Sequence, residues 1–284
     1  MKLEMRKFDM KTIKDGATIA LIGRRGSGKS IATADIFRYH TEWPIGVVMS
    51  ATERANHFFE KFIPKMLIYD KFDPVVLRNF MLRQEKITDQ REMEIRKYGR
   101  SDIDNRAFLV LDDCLYDKSW PNNEDIRAVF MNGRHYGITF IVTMQYPLGI
   151  PPHLRANIDY VFIFRDNMIK NRERIYQQYA GMLPNFDTFN QVMDQSTENY
   201  ECLVINQRGN SNKLEDQLYW YKADTNINFR CCSRELWNIQ AADEERKALG
   251  MANEGDDEED FDPTIIRKVS AKTPKIRVHK VDTR

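Results

Sequence analysis

Short apolar runs alternate with longer segments of helical patterning along most of this chain. Each run is four to six residues long, which is typical of strands buried on both faces of a parallel sheet. The runs are residues 19–22, 45–50, 66–69, 108–113, 138–143, 160–164, 202–206 and 218–221. Helices are expected at 31–40, 74–106, 126–134 and 171–180. This alternation predicts an α/β fold with a mostly parallel sheet flanked by helices.

The pattern also predicts how the chain divides. Residues 1–242 are long enough for one domain, which begins with a lead-in or short edge strand. The helical segment 74–106 mixes basic and acidic residues, which predicts a solvated charged insertion, with a surface facing DNA or another subunit as the alternative. From residue 243 an acidic block and then basic residues follow. Residues 243–284 are therefore expected to be a disordered tail that either solubilises the protein or contacts nucleic acid or a partner.

Composition indicates the cellular compartment of the protein but says little about its activity. The net charge is +1, so the overall charge selects neither DNA nor a membrane as the partner. The four cysteines have no metal-ligand spacing, which favours a reducing compartment. No apolar run approaches the ~20 residues of a membrane span, and the first residues lack the apolar core of a signal peptide. A soluble, intracellular protein is expected.

The run 19–22 leads directly into Gly-Arg-Arg-Gly-Ser-Gly-Lys-Ser at residues 23–30. This is the phosphate-binding P-loop, or Walker A, pattern, in which backbone N–H groups surround a triphosphate at a helix N-terminus. Lys29 is expected to reach the β- and γ-phosphates, and the Ser30 hydroxyl to ligate Mg²⁺. The predicted nucleotide-binding residues are Gly23, Arg24, Arg25, Gly26, Ser27, Gly28, Lys29, Ser30 and Ile31.

Polar residues also end three other predicted strands. Asp112 and Asp113 end the strand 108–113, which reads as a Walker B strand: Asp112 is expected to hold Mg²⁺ and Asp113 to act as the general base. Gln145 follows the strand 138–143, and its amide is suited to sensing the γ-phosphate or orienting water. Thr52 and Glu53 follow the strand 45–50, either as a helix cap with a first-turn acid or as nucleotide contacts.

Several longer motifs resemble the genome-packaging ATPases of the large nucleocytoplasmic DNA viruses, the poxvirus-type branch of the FtsK–HerA translocases. They include the P-loop itself, Ser-Ala-Thr-Glu-Arg-Ala-Asn, Leu-Val-Leu-Asp-Asp-Cys, Asn-Gly-Arg-His-Tyr-Gly-Ile, Met-Gln-Tyr-Pro-Leu-Gly-Ile-Pro, Leu-Arg-Ala-Asn-Ile-Asp-Tyr-Val-Phe and Leu-Tyr-Trp-Tyr-Lys-Ala. The resemblance implies a RecA-like (ASCE-type) core in which the Gln145 strand lies between the P-loop and Walker B strands. Many relatives in the wider superfamily carry Glu where this chain has Asp113.

The resemblance further implies a homo-oligomeric ring, a pentamer or hexamer, with nucleotide between subunits. Arg134 precedes the strand 138–143, so it is expected away from its own P-loop. The resemblance makes it the trans-acting arginine finger, with Arg155 as the alternative. A surface arginine in a glycine-containing turn is the other interpretation of Arg134.

The function implied is ATP-driven translocation of double-stranded DNA into a viral capsid, with ATP and Mg²⁺ as cofactors. A capsid vertex or inner-membrane virion components are the further partners implied, and the host cytoplasm (the viral factory) or the virion is the location implied. Two other functions fit a P-loop: a small-molecule or nucleoside kinase, and a non-catalytic virion assembly protein gated by nucleotide.

Overall fold

One sheet of nine strands runs through the part of the chain that this computed structural model describes, residues 3–114, 120–209 and 211–248. The strands are β1 (Arg6–Lys7), β2 (Thr18–Ile22), β3 (Gly46–Ser50), β4 (Ile68–Tyr69), β5 (Ala107–Asp112), β6 (Ile138–Met144), β7 (Tyr160–Phe164), β8 (Glu201–Asn206) and β9 (Leu218–Lys222). The helices are α1 (Lys29–Arg38), α2 (Glu53–Asn56), α3 (Pro74–Tyr98), α4 (Glu124–Asn132), α5 (Pro152–Arg155), α6 (Ile169–Tyr179), α7 (Phe186–Ser196), α8 (Leu214–Gln217) and α9 (Arg234–Ala248). Among the described helices, none combines the length and apolar character that a bilayer crossing requires.

The strand order is β1-β9-β8-β7-β2-β6-β5-β3-β4. All neighbouring strands are parallel except at β8, which is antiparallel to both β7 and β9. Every residue of β2, β3, β5, β6 and β7 is buried, as expected for strands covered by helices on both faces. The predicted α/β fold is confirmed, as is the RecA-like placement of β6 between the P-loop strand β2 and the acidic strand β5.

The long helix α3 is a crossover between β4 and β5 rather than a purely solvated insertion. Asp73 caps its N-terminus through the backbone N–H groups of Val75 and Val76. Its first half buries an apolar stripe that includes Leu77 and Phe80. Gln84 then donates to the backbone carbonyls of Asn105 and Tyr136. The helix occupies residues 74–98 of the segment 74–106, and its charged residues are exposed or half-buried except for Arg83, which is buried.

Residues after β9 pack back onto the core instead of leaving it. The backbone N–H groups of Cys231 and Ser233 donate to the carbonyls of Phe62 and Pro44, and Leu236 of α9 is fully buried. Helix α9 continues to Ala248, so residues 243–248 of the predicted tail are helical. Residues 249–284, with the acidic block and the basic end, lie outside the described residues.

Candidate functional site

The P-loop connects β2 to α1, and its glycines meet two steric demands. Gly28 is the N-cap of α1 and has φ +104°, a conformation that side chains rarely adopt. At Gly23, a Cβ atom would lie 2.6 Å from Ser27 Oγ and 2.7 Å from Phe164 Cβ. A side chain at Gly23 would therefore push the loop away from β7. Together these glycines hold the loop over the N-terminus of α1, where N–H groups and the helix dipole favour an anion.

Lys29 begins α1 and turns its ammonium group into the loop. Its Nζ donates to the carbonyl oxygens of Gly23 at 2.8 Å and Arg24 at 3.1 Å, and the residue is only 6% exposed. Burial lowers the pKa of Lys29, whereas the nearby carboxylates of Asp113 and Asp112 oppose that shift. An ammonium group has three N–H donors, so one remains for a phosphate oxygen after these two bonds.

Asp112 ends β5 as a buried carboxylate held by hydroxyl groups from both neighbouring strands. Ser50 Oγ of β3 donates to Oδ2 at 2.8 Å, and Thr143 Oγ1 of β6 donates to Oδ1 at 2.7 Å. Burial raises the pKa of Asp112, and the two hydroxyl groups oppose the rise. A fixed carboxylate near the hydroxyl-bearing Ser30 fits Mg²⁺, which takes few protein oxygens and keeps several waters.

Asp113 has φ +51°, in the left-handed region where Asp is several-fold enriched among non-glycine residues. Its backbone N–H donates to Thr143 Oγ1 at 3.1 Å. Its side-chain Oδ2 accepts from Gln145 Nε2 at 2.9 Å. Thr143 therefore orients both consecutive aspartates, and the turn directs Asp113 toward Gln145. This geometry suits a carboxylate and an amide that act on one water molecule.

One cavity of about 740 Å³ joins these groups. Its lining includes Arg25, Gly26, Gly28, Lys29, Ser30, Ile31, Asp112, Asp113 and Gln145, all of them predicted site residues. Gly23, Arg24 and Ser27 belong to the same loop but are not among the lining residues. The cavity is also lined by residues that the sequence analysis did not select, among them Phe58, Tyr200, Lys222 and Thr225.

The segment after β3 differs from the predicted helix cap. Thr52 occupies the N-cap position of α2, but its side chain makes no capping hydrogen bond. Its Oγ1 instead accepts from Asn56 Nδ2 and lies 3.3 Å from Ser50 Oγ. Glu53 is buried, and its carboxylate accepts the backbone N–H groups of residues 58, 59 and 60. Thr52 lines the cavity, whereas Glu53 shapes the following loop.

The two candidate arginine fingers lie in different environments. Arg134 is exposed and precedes β6; a Cβ atom at Gly16, before β2, would lie 2.9 Å from Arg134 Cα. Arg134 is therefore at the amino edge of the sheet, opposite the P-loop. Arg155 is only 8% exposed, and its guanidinium lies over the Tyr179 ring at 5.4 Å. Of the two, Arg134 has an exposed side chain and Arg155 has a buried one.

This strand order, with a P-loop facing an acidic strand end, defines a RecA-like protein of the P-loop class. The chain is 38% identical over 223 residues to protein L437 of Acanthamoeba polyphaga mimivirus, covering 78% of each chain. It is 35% identical over 225 residues to protein 088R of Invertebrate iridescent virus 3, covering 76% of this chain and 82% of the relative. The chain belongs to this family of large-DNA-virus proteins, which confirms the predicted viral relationship.

Frog virus 3 contributes a further relative, protein 015R, at 32% identity over 230 residues, covering 78% of this chain and 68% of the relative. No family profile matches the chain. Among solved structures, the chain is similar to B204, the DNA-packaging ATPase from Sulfolobus Turreted Icosahedral Virus. That similarity has 16% identity and a TM-score of 0.48, covering 75% of this chain and all of B204.

Proposed function

We propose that this protein is an ATPase that couples ATP hydrolysis to translocation of double-stranded DNA during packaging of a viral genome. The observation that carries the proposal is the convergence of Lys29, Asp112, Asp113 and Gln145 around one cavity at the carboxyl edge of the sheet. A site that only binds nucleotide has no need of a carboxylate and an amide positioned to act on water. The viral family and the motif resemblance support the packaging role.

Each residue has a defined part in the proposed reaction. The P-loop backbone and Lys29 bind the phosphates and neutralise their charge. Ser30 and Asp112 hold Mg²⁺, which when bound neutralises further charge on the β- and γ-oxygens. Gln145 orients a water molecule, and Asp113 accepts its proton as the water oxygen bonds to the γ-phosphorus. The bond between that phosphorus and the β–γ bridging oxygen breaks, so ADP leaves and inorganic phosphate is formed. The hydrogen bond between Gln145 and Asp113 holds the two side chains next to each other, so that both can contact the same water molecule.

The proposed active unit is a ring of five or six subunits. Arg134 lies on the sheet edge opposite its own P-loop, so we assign it to the site of the neighbouring subunit, where it stabilises transition-state charge. Duplex DNA is held in the ring through phosphate contacts without sequence preference. The ring would act at a capsid vertex or on inner-membrane virion components, in the viral factory of the host cytoplasm or in the virion.

The ring proposal is tested by measuring the ATPase rate per subunit against protein concentration, with and without duplex DNA. The rate per subunit is expected to rise with concentration as rings assemble, and to rise further with DNA. The DNA effect should fall steeply with salt, because phosphate contacts release counterions. Lys29→Ala provides the background rate. Turnover that depends on neither protein concentration nor DNA would contradict a ring motor.

Replacing Thr143 by Val is expected to raise the Mg²⁺ concentration that the ATPase needs for half-maximal activity. Valine has nearly the shape of threonine but lacks the hydroxyl that donates to Asp112 and accepts from the Asp113 backbone. Loss of such a supporting partner typically costs about 10- to 100-fold in metal affinity. The measurement is the Mg²⁺ concentration that gives half-maximal ATPase activity.

Thr139→Val is the matched control on the same strand. Thr139 is also buried, but its hydroxyl accepts from the backbone N–H of Gly16 at the other edge of the sheet. Thr139→Val loses one hydrogen bond and Thr143→Val loses two, and each lost bond that leaves a buried partner unsatisfied costs about 1–3 kcal/mol of unfolding free energy. Only Thr143→Val should change the Mg²⁺ requirement. An equal Mg²⁺ requirement in the two variants would show that the Thr143 hydroxyl does not support Mg²⁺ binding by Asp112.

A further inference from the structure

Tyr200 is an exposed aromatic residue held beside the P-loop. Its side chain belongs to the lining of the cavity, and a Cβ atom at Gly28 would lie 3.7 Å from Tyr200 Cδ1. The residue is nevertheless 72% exposed, which is unusual for a large aromatic side chain. Phe164 lies against the same glycine but is only 2% exposed, so Tyr200 is the aromatic ring there that a ligand can reach.

The backbone at Tyr200 adopts a conformation that tyrosine rarely takes. Asn199 and Tyr200 have φ +51° and +65°, and the N–H of Glu201 donates to the carbonyl of Glu198 at 2.8 Å. These are the features of a type I′ turn, which favours Asn at its first central position and Gly at its second. Asn199 fits this preference and Tyr200 does not. Folding alone would favour glycine at position 200, so a contact of the Tyr200 ring with a ligand would offset a local cost.

The sheet order indicates the direction in which a nucleotide bound at the P-loop would extend away from its γ-phosphate. Asp113 and Gln145 follow β5 and β6, on one side of the P-loop strand β2. The γ-phosphate and Mg²⁺ must lie on that side in the proposed reaction. Tyr200 precedes β8, on the other side of β2. Lys222 ends the adjacent strand β9, and Ala223 and Thr225 follow it. A nucleotide with its γ-phosphate at Asp113 therefore directs its ribose and base toward β8 and β9.

We propose that Tyr200 stacks on the base of the bound nucleotide and so forms the nucleoside end of the site. This inference rests on the proposed ATPase function and adds a binding residue to it. An aromatic ring stacks on any base because every base has a π-face. Tyr200 thus raises the affinity for nucleotides over inorganic phosphates without itself selecting adenine. Lys222 and Thr225 also line the cavity.

The test compares ADP with inorganic pyrophosphate, because the two share the diphosphate and differ in the nucleoside. Dissociation constants of the full chain are measured by calorimetry for the wild type, Tyr200→Ala, Tyr200→Gly and Tyr200→Phe. Loss of the ring is expected to weaken ADP binding about tenfold or more and to leave pyrophosphate binding within about twofold. Tyr200→Phe keeps the ring and should bind ADP like the wild type.

Tyr200→Gly also separates binding from folding. Glycine relieves the positive φ, so this variant should unfold at a temperature no lower than the wild type while still losing ADP affinity. Tyr98→Ala, which removes another exposed ring at the end of α3, should leave ADP affinity unchanged.

Two results would overturn base stacking by Tyr200 while leaving the phosphate site intact. One is wild-type ADP affinity in Tyr200→Ala and Tyr200→Gly. The other is equal affinity of the wild-type protein for ADP and pyrophosphate. Failure of the proposed function gives a different result, namely a wild-type protein that binds neither ligand.

Discussion

Replacing Asp113 by Asn is expected to lower kcat for ATP hydrolysis by about two to four orders of magnitude, the usual contribution of a general base. Asparagine tolerates the positive φ of this position, and its amide oxygen can still accept from Gln145 Nε2, as Asp113 Oδ2 does at 2.9 Å. The substitution therefore removes the charge and the basicity and preserves the geometry. The measurement is single-turnover hydrolysis of ATP together with the dissociation constant for ADP.

ADP affinity should remain within about threefold of the wild type, because the phosphates are bound by the P-loop and Lys29. Asp113→Glu is the informative companion. It keeps the carboxylate, but Glu is less favoured than Asp at φ +51°, so partial activity is expected. Wild-type turnover by Asp113→Asn would contradict this assignment and show that another group accepts the proton.

Replacing Arg134 by Ala is expected to lower kcat about a thousandfold or more, the range measured for arginine fingers. The residue is exposed, so its loss should not affect folding. Arg134 and the P-loop lie at opposite ends of the seven-residue strand β6, a separation of roughly 20 Å at ~3.3 Å per residue. That distance exceeds the reach of an arginine side chain, so any effect on catalysis must act in the neighbouring subunit.

Mixing two inactive variants tests that arrangement directly. Arg134→Ala keeps an intact P-loop, and Lys29→Ala keeps an intact arginine. In a mixed ring, some interfaces combine the intact P-loop of an Arg134→Ala subunit with the intact Arg134 of a Lys29→Ala subunit. A measurable part of the wild-type activity should therefore return. Arg127→Ala removes another exposed arginine, from α4, and should be fully active. An Arg134→Ala variant with wild-type activity would show that this residue is a surface arginine.

The sequence could predict those parts of the site in which a short stretch of residues determines where its own side chains lie. The P-loop carries its own steric requirements, and the apolar run before it becomes β2. Asp113 and Gln145 could be expected to meet because the carboxyl ends of parallel strands share one edge of a sheet, and they do. The strand order that makes β5 and β6 neighbours came from the motif resemblance, not from periodicity.

Other parts depend on contacts that no short pattern records. Thr143 lies within an apolar strand, where a threonine usually has no function beyond packing, yet its hydroxyl contacts both aspartates. Tyr200 precedes a strand whose antiparallel direction could not be inferred from its residues. The apolar stripe of α3 is diluted by the charges on the outer face of the helix. Helix α7 was not predicted, although its apolar residues Phe186, Phe189 and Met193 recur at helical spacing.

Strand β6 lies between two residues of the proposed catalytic machinery. Arg134 precedes it and Gln145 follows it, and every residue between Ile138 and Met144 is buried. Neighbours β2 and β5 are hydrogen-bonded along both sides of the strand. In the proposed ring, one end of β6 serves the subunit's own nucleotide and the other end serves its neighbour's. Because β6 is bonded on both sides and buried throughout, it cannot slide against its neighbours, and in the proposed ring it would act as a rigid spacer that fixes the distance between two adjacent nucleotide sites.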